Sequence, residues 1–390
     1  MTTKKTKNTS FLKAATVAKH FGFTLESKLH VTNETIKLCA EQKKEKKYLD
    51  EYMPAMEEVG QLVIEYRDSE KETGSAPVFR YFDGPAAGDH DKLRKRPGEE
   101  QVSLHILGAE KSIADALMIK TIQTILREDG SENITLLINN MGGKETQTQF
   151  NREATGFFRK NISLLNATCR QYFKDGLHTL ITQGGDNCKI LKEHAPEPMD
   201  FLNEEGRAKF KEIIEYLESF DMPYEINSSI LGDPNYSTHT TFHIVDTDTR
   251  KVLAAGSRYN MLAKKLGARR EISAMSANVW LQKNKTVTEK SLNGKNENDF
   301  FLVQVGDRAK VVALHVLELL HKEGIQVKHR IVRDKLSSQL QYATKIKAKF
   351  MLIIGHKEAI DKSVIVKDSQ GRFQQSVPIP ELVKHLKSLK

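Results

Sequence analysis

Tryptophan occurs once and cysteine three times in 390 residues, and each scarcity excludes something. Cys39, Cys169 and Cys188 have neither the density of a disulfide framework nor the spacing of a zinc site. They read as ordinary packing residues in a reducing cytosol, and no metal site is expected. No apolar run approaches the roughly 20 residues a membrane helix needs. The first ten residues carry charge with no apolar stretch behind them, so no secretory signal is expected. What remains is a soluble globular composition, 39% hydrophobic and 28% charged, long enough for two or three domains.

Acidic residues are short in one place only. Residues 301–390 hold 17 Lys+Arg against 8 Asp+Glu, whereas residues 1–300 balance at 43 each. A surplus confined to the last quarter points to a module facing a polyanion, nucleic acid first, or to a solvated lysine-rich surface.

Periodicity gives an α+β order. Residues 1–10 read as a disordered tail, 11–23 as a helix, 34–56 as a second helix and Leu62–Tyr66 as a short strand. Ser112–Arg127 is the clearest amphipathic helix, with Ile113, Ala116, Leu117, Ile119, Ile122 and Leu126 in its stripe. Ile134–Asn139 reads as a buried strand, and 145–220 as a mostly helical insertion. Tyr236–Val245 and Lys251–Ala255 read as a hairpin, followed by helices over 258–267 and Ile272–Leu281. Residues 283–299 are polar and read as a linker closing a domain of 11–282. From 300 to 390, strands and helices alternate and then a hairpin and helix follow, predicting a mostly parallel sheet with helices on its faces.

One stretch carries the chemistry. Ala76–Glu110 reads as a strand, a basic loop and a returning strand, with Arg80 among Val78, Phe79, Tyr81 and Phe82. An arginine inside an apolar antiparallel pair costs several kcal/mol unless an anion meets it. Either an internal salt bridge or a phosphate or carboxylate pocket would satisfy it.

The chain resembles the histidyl-tRNA synthetase family, class II aminoacyl-tRNA synthetases, over nearly its whole length. Phe79-Arg-Tyr81 through His105-Ile-Leu-Gly-Ala-Glu110 is similar to motif 2, and Ile138-Asn-Asn-Met-Gly142 to the Ile-Asn-Ser-Leu-Gly segment. Phe201-Leu-Asn-Glu-Glu through Met222-Pro-Tyr-Glu-Ile-Asn227 is also similar. Tyr236-Ser-Thr-His-Thr-Thr-Phe242 resembles the histidine-binding strand, and Ala255-Gly-Ser-Arg-Tyr-Asn-Met-Leu262 the Gly-Gly-Arg-Tyr-Asp-Gly-Leu segment. Residues 300–390 resemble the anticodon-binding domain. The resemblance implies an antiparallel catalytic sheet, ATP with Mg²⁺, a homodimer, tRNA as partner and a cytoplasmic location. It implies that Arg80 holds the α-phosphate, and that Glu110, Tyr236, Arg258 and Tyr259 form the amino-acid pocket. RNA contact falls to Arg94, Lys95 and Arg96 in the motif 2 loop, equally readable as a solvated charged loop. It falls also to Lys328, Arg330, Arg333, Lys335, Lys345, Lys347 and Lys349.

Departures from the family pattern matter as much. Gly232 stands at a catalytic arginine, Ser237 at a second tyrosine, Ile106 at a glutamine, Phe82 at a glutamate and Trp280 at the second ATP arginine. Met53-Pro-Ala-Met-Glu57 aligns with Arg-Pro-Glu-Gly-Thr. Normal turnover then requires Arg250, Arg269 or Arg270 to move in. The leading expectation is a catalytically degenerate tRNA- or RNA-binding or regulatory paralogue. The alternatives are an active or weakly active histidine–tRNA ligase-type enzyme, and a subunit like the regulatory subunit of ATP phosphoribosyltransferase. That family normally lacks the C-terminal domain.

Overall fold

The structure is a computed structural model, and it describes residues 6–26, 28–42, 51–73, 76–84, 96, 98–184, 188, 194–282, 286–288 and 299–389. The chain opens with β1 (Thr6–Asn8), α1 (Thr9–His20), β2 (Thr24–Leu25), α2 (Asn33–Gln42) and α3 (Met56–Thr73). The hairpin β3 (Val78–Phe82) and β4 (Glu99–Leu107) leads to α4 (Ile113–Glu128) and β5 (Ile134–Asn140). The insertion holds α5 (Lys144–Lys160), α6 (Ala167–Asp175), α7 (Leu177–Gly184) and α8 (Glu204–Ser219). Then come β6 (Tyr224–Ile226), β7 (Thr238–Asp246), β8 (Val252–Arg258), α9 (Leu262–Lys265), β9 (Ala274–Gln282) and β10 (Thr286–Thr288).

Among the described residues these strands make an eight-stranded sheet in the order β2-β3-β4-β9-β8-β7-β5-β6. Its interior pairs are antiparallel, and the outer pairs β2–β3 and β5–β6 are parallel. The alternation of each strand sets two faces. Val102, Leu104 and Ile106 of β4 and Met275, Ala277 and Val279 of β9 pack with α4 in the main core. Ser103, His105, Ser276, Asn278 and Trp280 therefore point to the other face.

The last quarter forms β11 (Phe300–Gln304), α10 (Asp307–Lys322), β12 (Val327–His329), α11 (Leu336–Lys345), β13 (Phe350–Ile354), α12 (His356–Asp361), β14 (Ser363–Asp368), β15 (Gln374–Pro378) and α13 (Ile379–Ser388). Its sheet runs β12-β11-β13-β14-β15, the first three strands parallel and the hairpin antiparallel. Its core is continuous with that of α1 and α4, since Leu314, Leu317 and Leu320 join Ala14, Val17 and Leu117 in one cluster. Lys120 of α4 is fully buried at this junction and reaches Glu318 at 2.6 Å and Gln123 at 2.9 Å.

Several expectations are corrected. Leu62–Tyr66 lies inside α3, because Val59, Leu62, Val63 and Tyr66 are buried at helical spacing. Ile272–Leu281 is the strand β9, buried on both faces, which removes the alternation that marks a strand. Of the second expected helix, 34–56, the described residues give α2 over Asn33–Gln42 and no helix over 51–55, while 43–50 lie outside the described residues. The tail and the linker supply β1 and β10, which pair antiparallel. Cys169 and Cys188 form a disulfide with Cα atoms 6.4 Å apart, because the fold of the insertion joins what the sequence separates by 19 residues.

Candidate functional site

Arg80 sits opposite His105 on the sheet face turned away from α4. A carboxylate from within the chain meets it. Its Nη1 donates to Glu65 Oε2 at 2.7 Å, the pair being partly exposed. The internal salt bridge is thus the arrangement formed. His105 is wholly buried, with Nδ1 2.5 Å from Ser276 Oγ and Nε2 3.5 Å from Glu58 Oε1. Burial, then the nearby Arg80 charge, pushes its pKa down to about 3, so the ring is neutral. Ser276 Oγ also bonds Tyr259 Oη. Sequence reasoning misses Glu58 and Glu65, because the strand expected over Leu62–Tyr66 hides the helix that α3 forms from Met56 to Thr73. Seven residues apart, they share one face of a helix.

The corner of this face is filled. Trp280 is 3% exposed and packs with Met53, which is fully buried, and with Ala255. The ring of Tyr52 meets Trp280 edge-on at 6.0 Å and His243 at 5.4 Å. Arg96 lies over Trp280 with its guanidinium carbon 4.0 Å from the ring centroid, and 5.1 Å from that of Tyr52. Its Nη1 donates to Val252 O at 2.6 Å. Asn278 Nδ2 donates to Tyr52 O at 3.2 Å, and Tyr236 Oη donates to Pro54 O. The segment Tyr52–Pro54 is therefore held down on the sheet by side chains of two strands and the loop before β7.

Gly232 cannot be replaced by a larger residue without moving its turn. Its φ is +65°, and a Cβ there would lie 2.7 Å from Ser237 Oγ. Ser237 holds this turn, accepting from Asp233 N at 2.9 Å and donating its own N–H to Asp233 O at 2.8 Å. Ile106 belongs to the α4-side core, away from Arg80.

The four residues expected to line one amino-acid pocket divide between two places. Tyr236 and Tyr259 lie together, centroids 6.4 Å apart, in the core beside α3. Arg258 points toward α4 and donates to both oxygens of Asp115, at 2.8 and 2.6 Å, and to Ser273 Oγ at 2.7 Å. Glu110 is exposed. Arg258 and Glu110 both line a cavity of about 250 Å³ on the α4 side, beside the start of α5. Of the compensating arginines, Arg250 is paired with Glu225 and Arg270 with Glu70, while Arg269 is exposed. Among the described residues no group of three His, Cys, Asp or Glu side chains could hold a metal ion.

Of the expected RNA contacts, Arg94 and Lys95 lie outside the described residues, and Arg96 is turned inward as above. Lys335, Lys345, Lys347 and Lys349 are exposed around α11, Lys349 paired with Asp299 at 2.8 Å. Lys328 and Arg333 are half-buried, and Arg330 stacks on Tyr342 at 3.7 Å.

The anticodon binding domain family matches residues 299–389. The histidine–tRNA ligase of Bacillus licheniformis is 25% identical over 320 residues, 80% of this chain and 73% of that one. That of Aquifex aeolicus is 26% identical over 306 residues, 78% and 73% of the two chains. The chain is similar to histidine–tRNA ligases over about four fifths of its length, and its last quarter matches the anticodon binding domain family. The structure of the apo histidyl-tRNA synthetase of S. aureus aligns over 97% of this chain and 94% of that one, at 21% identity and a TM-score of 0.49. A shared fold does not fix an activity, which lives in the site.

Proposed function

We propose that this chain is a tRNA- or RNA-binding protein that does not adenylate histidine. The observation that carries the reading is the filled sheet face. Met53, Tyr52 and Trp280 occupy its corner, Glu65 takes the guanidinium of Arg80, and Glu58 lies against His105. Attack of a carboxylate on the α-phosphate of ATP gathers negative charge that needs free cationic donors. Removing one such donor typically costs about 10²–10³ in rate. Here Gly232 has no room for a side chain, and an indole stands at 280. The residues present do not fit ATP with Mg²⁺. The exposed lysines around α11 and the match over residues 299–389 support RNA as the partner. A cytoplasmic homodimer is part of the same reading, by analogy with the family. No helix among the described residues is long and apolar enough to cross a membrane.

Two assays test the proposal. Pyrophosphate exchange with histidine and ATP is expected to stay at background, and robust histidine-dependent exchange would overturn it. Filter binding of tRNA by the full chain is expected to weaken steeply with salt, the logarithmic slope falling when Lys345 and Lys347 become alanine. Binding that ignores salt and both lysines would remove RNA from the proposal.

A further inference from the structure

The cavity beside α5 lies on the opposite sheet face from Arg80 and Trp280. The alternation Leu136, Ile138, Asn140 along β5 and Thr240, Phe242, Ile244 along β7 places these side chains toward α4. Asn140 and Thr240 face each other across the strands and are 3% and 2% exposed. Both line the cavity. Asn140 Oδ1 accepts from Gly142 N at 2.8 Å, but its Nδ2 and the Thr240 hydroxyl have no partner among the described residues. The two residues are almost wholly buried, yet these donors open onto the cavity, where the oxygens of a ligand can reach them.

The chain between β5 and α5 is Met141-Gly-Gly143, and Gly142 has φ +60°. A Cβ on Gly142 would strike Thr146 at 2.5 Å, so only glycine lets the backbone turn this tightly into the helix. α5 has 17 residues, and its N-cap Gly143 offers no side-chain cap. The first-turn N–H groups are left open beside Lys144, whereas Asn203 caps α8 by accepting from Gly206 N. His239, held at φ +51° in the bulge of β7, puts its ring next to Gly143. Two of the nearby acids are already neutralised, Asp115 by Arg258 and Glu205 by Lys209 at 2.7 Å. Glu110 and Glu145 remain on the rim.

We propose that this cavity binds a small phosphomonoester, its phosphate on the N-terminus of α5 and Lys144 and its oxygens taking the free donors of Asn140 and Thr240. The volume of about 250 Å³ admits a phosphate with a small carrier and leaves no room for a base-paired strand. The site is independent of adenylation, because it lies across the sheet from Arg80.

The test uses the full chain with inorganic phosphate in one arm and ribose 5-phosphate in the other, followed by calorimetry and ³¹P line broadening. Saturable binding is expected, stronger for the sugar phosphate. Lys144→Ala and Thr240→Val should each weaken it about tenfold, and Glu110→Gln should tighten it by removing a rim carboxylate. Lys37→Ala, on the exposed face of α2, should leave it unchanged. Lys144 is exposed, so its variant is informative even where Thr240→Val folds poorly. Absence of saturable binding at ~10 mM of either probe, or equal binding by the wild type and Lys144→Ala, would overturn the site.

Discussion

Arg96 lies over Trp280, guanidinium carbon 4.0 Å from the ring centroid, and the same carbon is 5.1 Å from the ring centroid of Tyr52. A cation over an aromatic face is worth about 0.5–2 kcal/mol, more as it is desolvated. The position where the family resemblance implies a phosphate-gripping arginine instead has the guanidinium of Arg96 over its indole.

That pair gives a direct optical test, because Trp280 is the one tryptophan in the sequence. Its emission should be that of a buried indole and should not respond to ATP up to millimolar levels. Arg96→Ala should change the emission intensity, and Trp280→Ala should cost about 3–5 kcal/mol in urea unfolding. An emission shift that saturates with ATP would show that the corner opens.

Glu65→Ala should be mild. The Arg80–Glu65 pair is partly exposed, with side-chain exposures of 20% and 35%, and solvent screening holds its worth to about 1 kcal/mol. If Arg80 were held there for an external anion, the same variant would gain sulfate or phosphate binding. The expected result is a small loss of Tm with no such gain.

Acid should unlock the molecule. Burial pushes His20 and His105 down to about 3 and His329 to about 4, from an ordinary 6.5. The unfolded chain takes up these protons below pH 6.5 while the folded one refuses them until pH 4–3. Stability is therefore full above pH 6.5 and falls as pH drops toward 4, by up to about 1.4 kcal/mol per pH unit per histidine. His20 ties α1 to Leu317 O at 2.7 Å. His20→Gln should keep a hydrogen bond there and make the urea midpoint less steep in pH. A midpoint that is flat between pH 6.5 and 4.5 in the wild type would contradict this.

The disulfide predicts a thiol count. Alkylation of the unfolded chain without reductant should modify Cys39 alone, since Cys169 and Cys188 are joined. Closing a loop of this size is worth about 2–4 kcal/mol, so Cys169→Ser should lower the stability of the insertion by that order. Three modified thiols would refute the bond.

The local signals are clear where apolar residues keep a regular spacing between recognisable turns. The stripe of Ser112–Arg127, the hairpin after Tyr236 and the alternation beyond Phe301 all match α4, β7–β8 and the C-terminal sheet to within a few residues, although α4 is itself buried from Ile113 to Leu126. They fail where the apolar run loses its period or acids interrupt it. β9 is buried along eight of its nine residues, and α3 presents acids and apolar residues to the same sheet.

The sequence by itself determined the resemblance to the histidyl-tRNA synthetases, the order of its segments, the basic last quarter and the presence of Gly232 and Trp280 where that resemblance implies arginines. These are properties of residues in a row. The tertiary structure alone decided what surrounds those two positions. Glu65 reaches Arg80 across 15 residues, Asn278 holds Tyr52 across 226, and Arg96 finds Trp280 from a loop. The same structure turned Arg258 away from Tyr236 and left a cavity on the α4 side of the sheet. A buried charge or an empty corner must be satisfied by whatever the fold brings within a few ångström, and separation along the chain does not say what that will be.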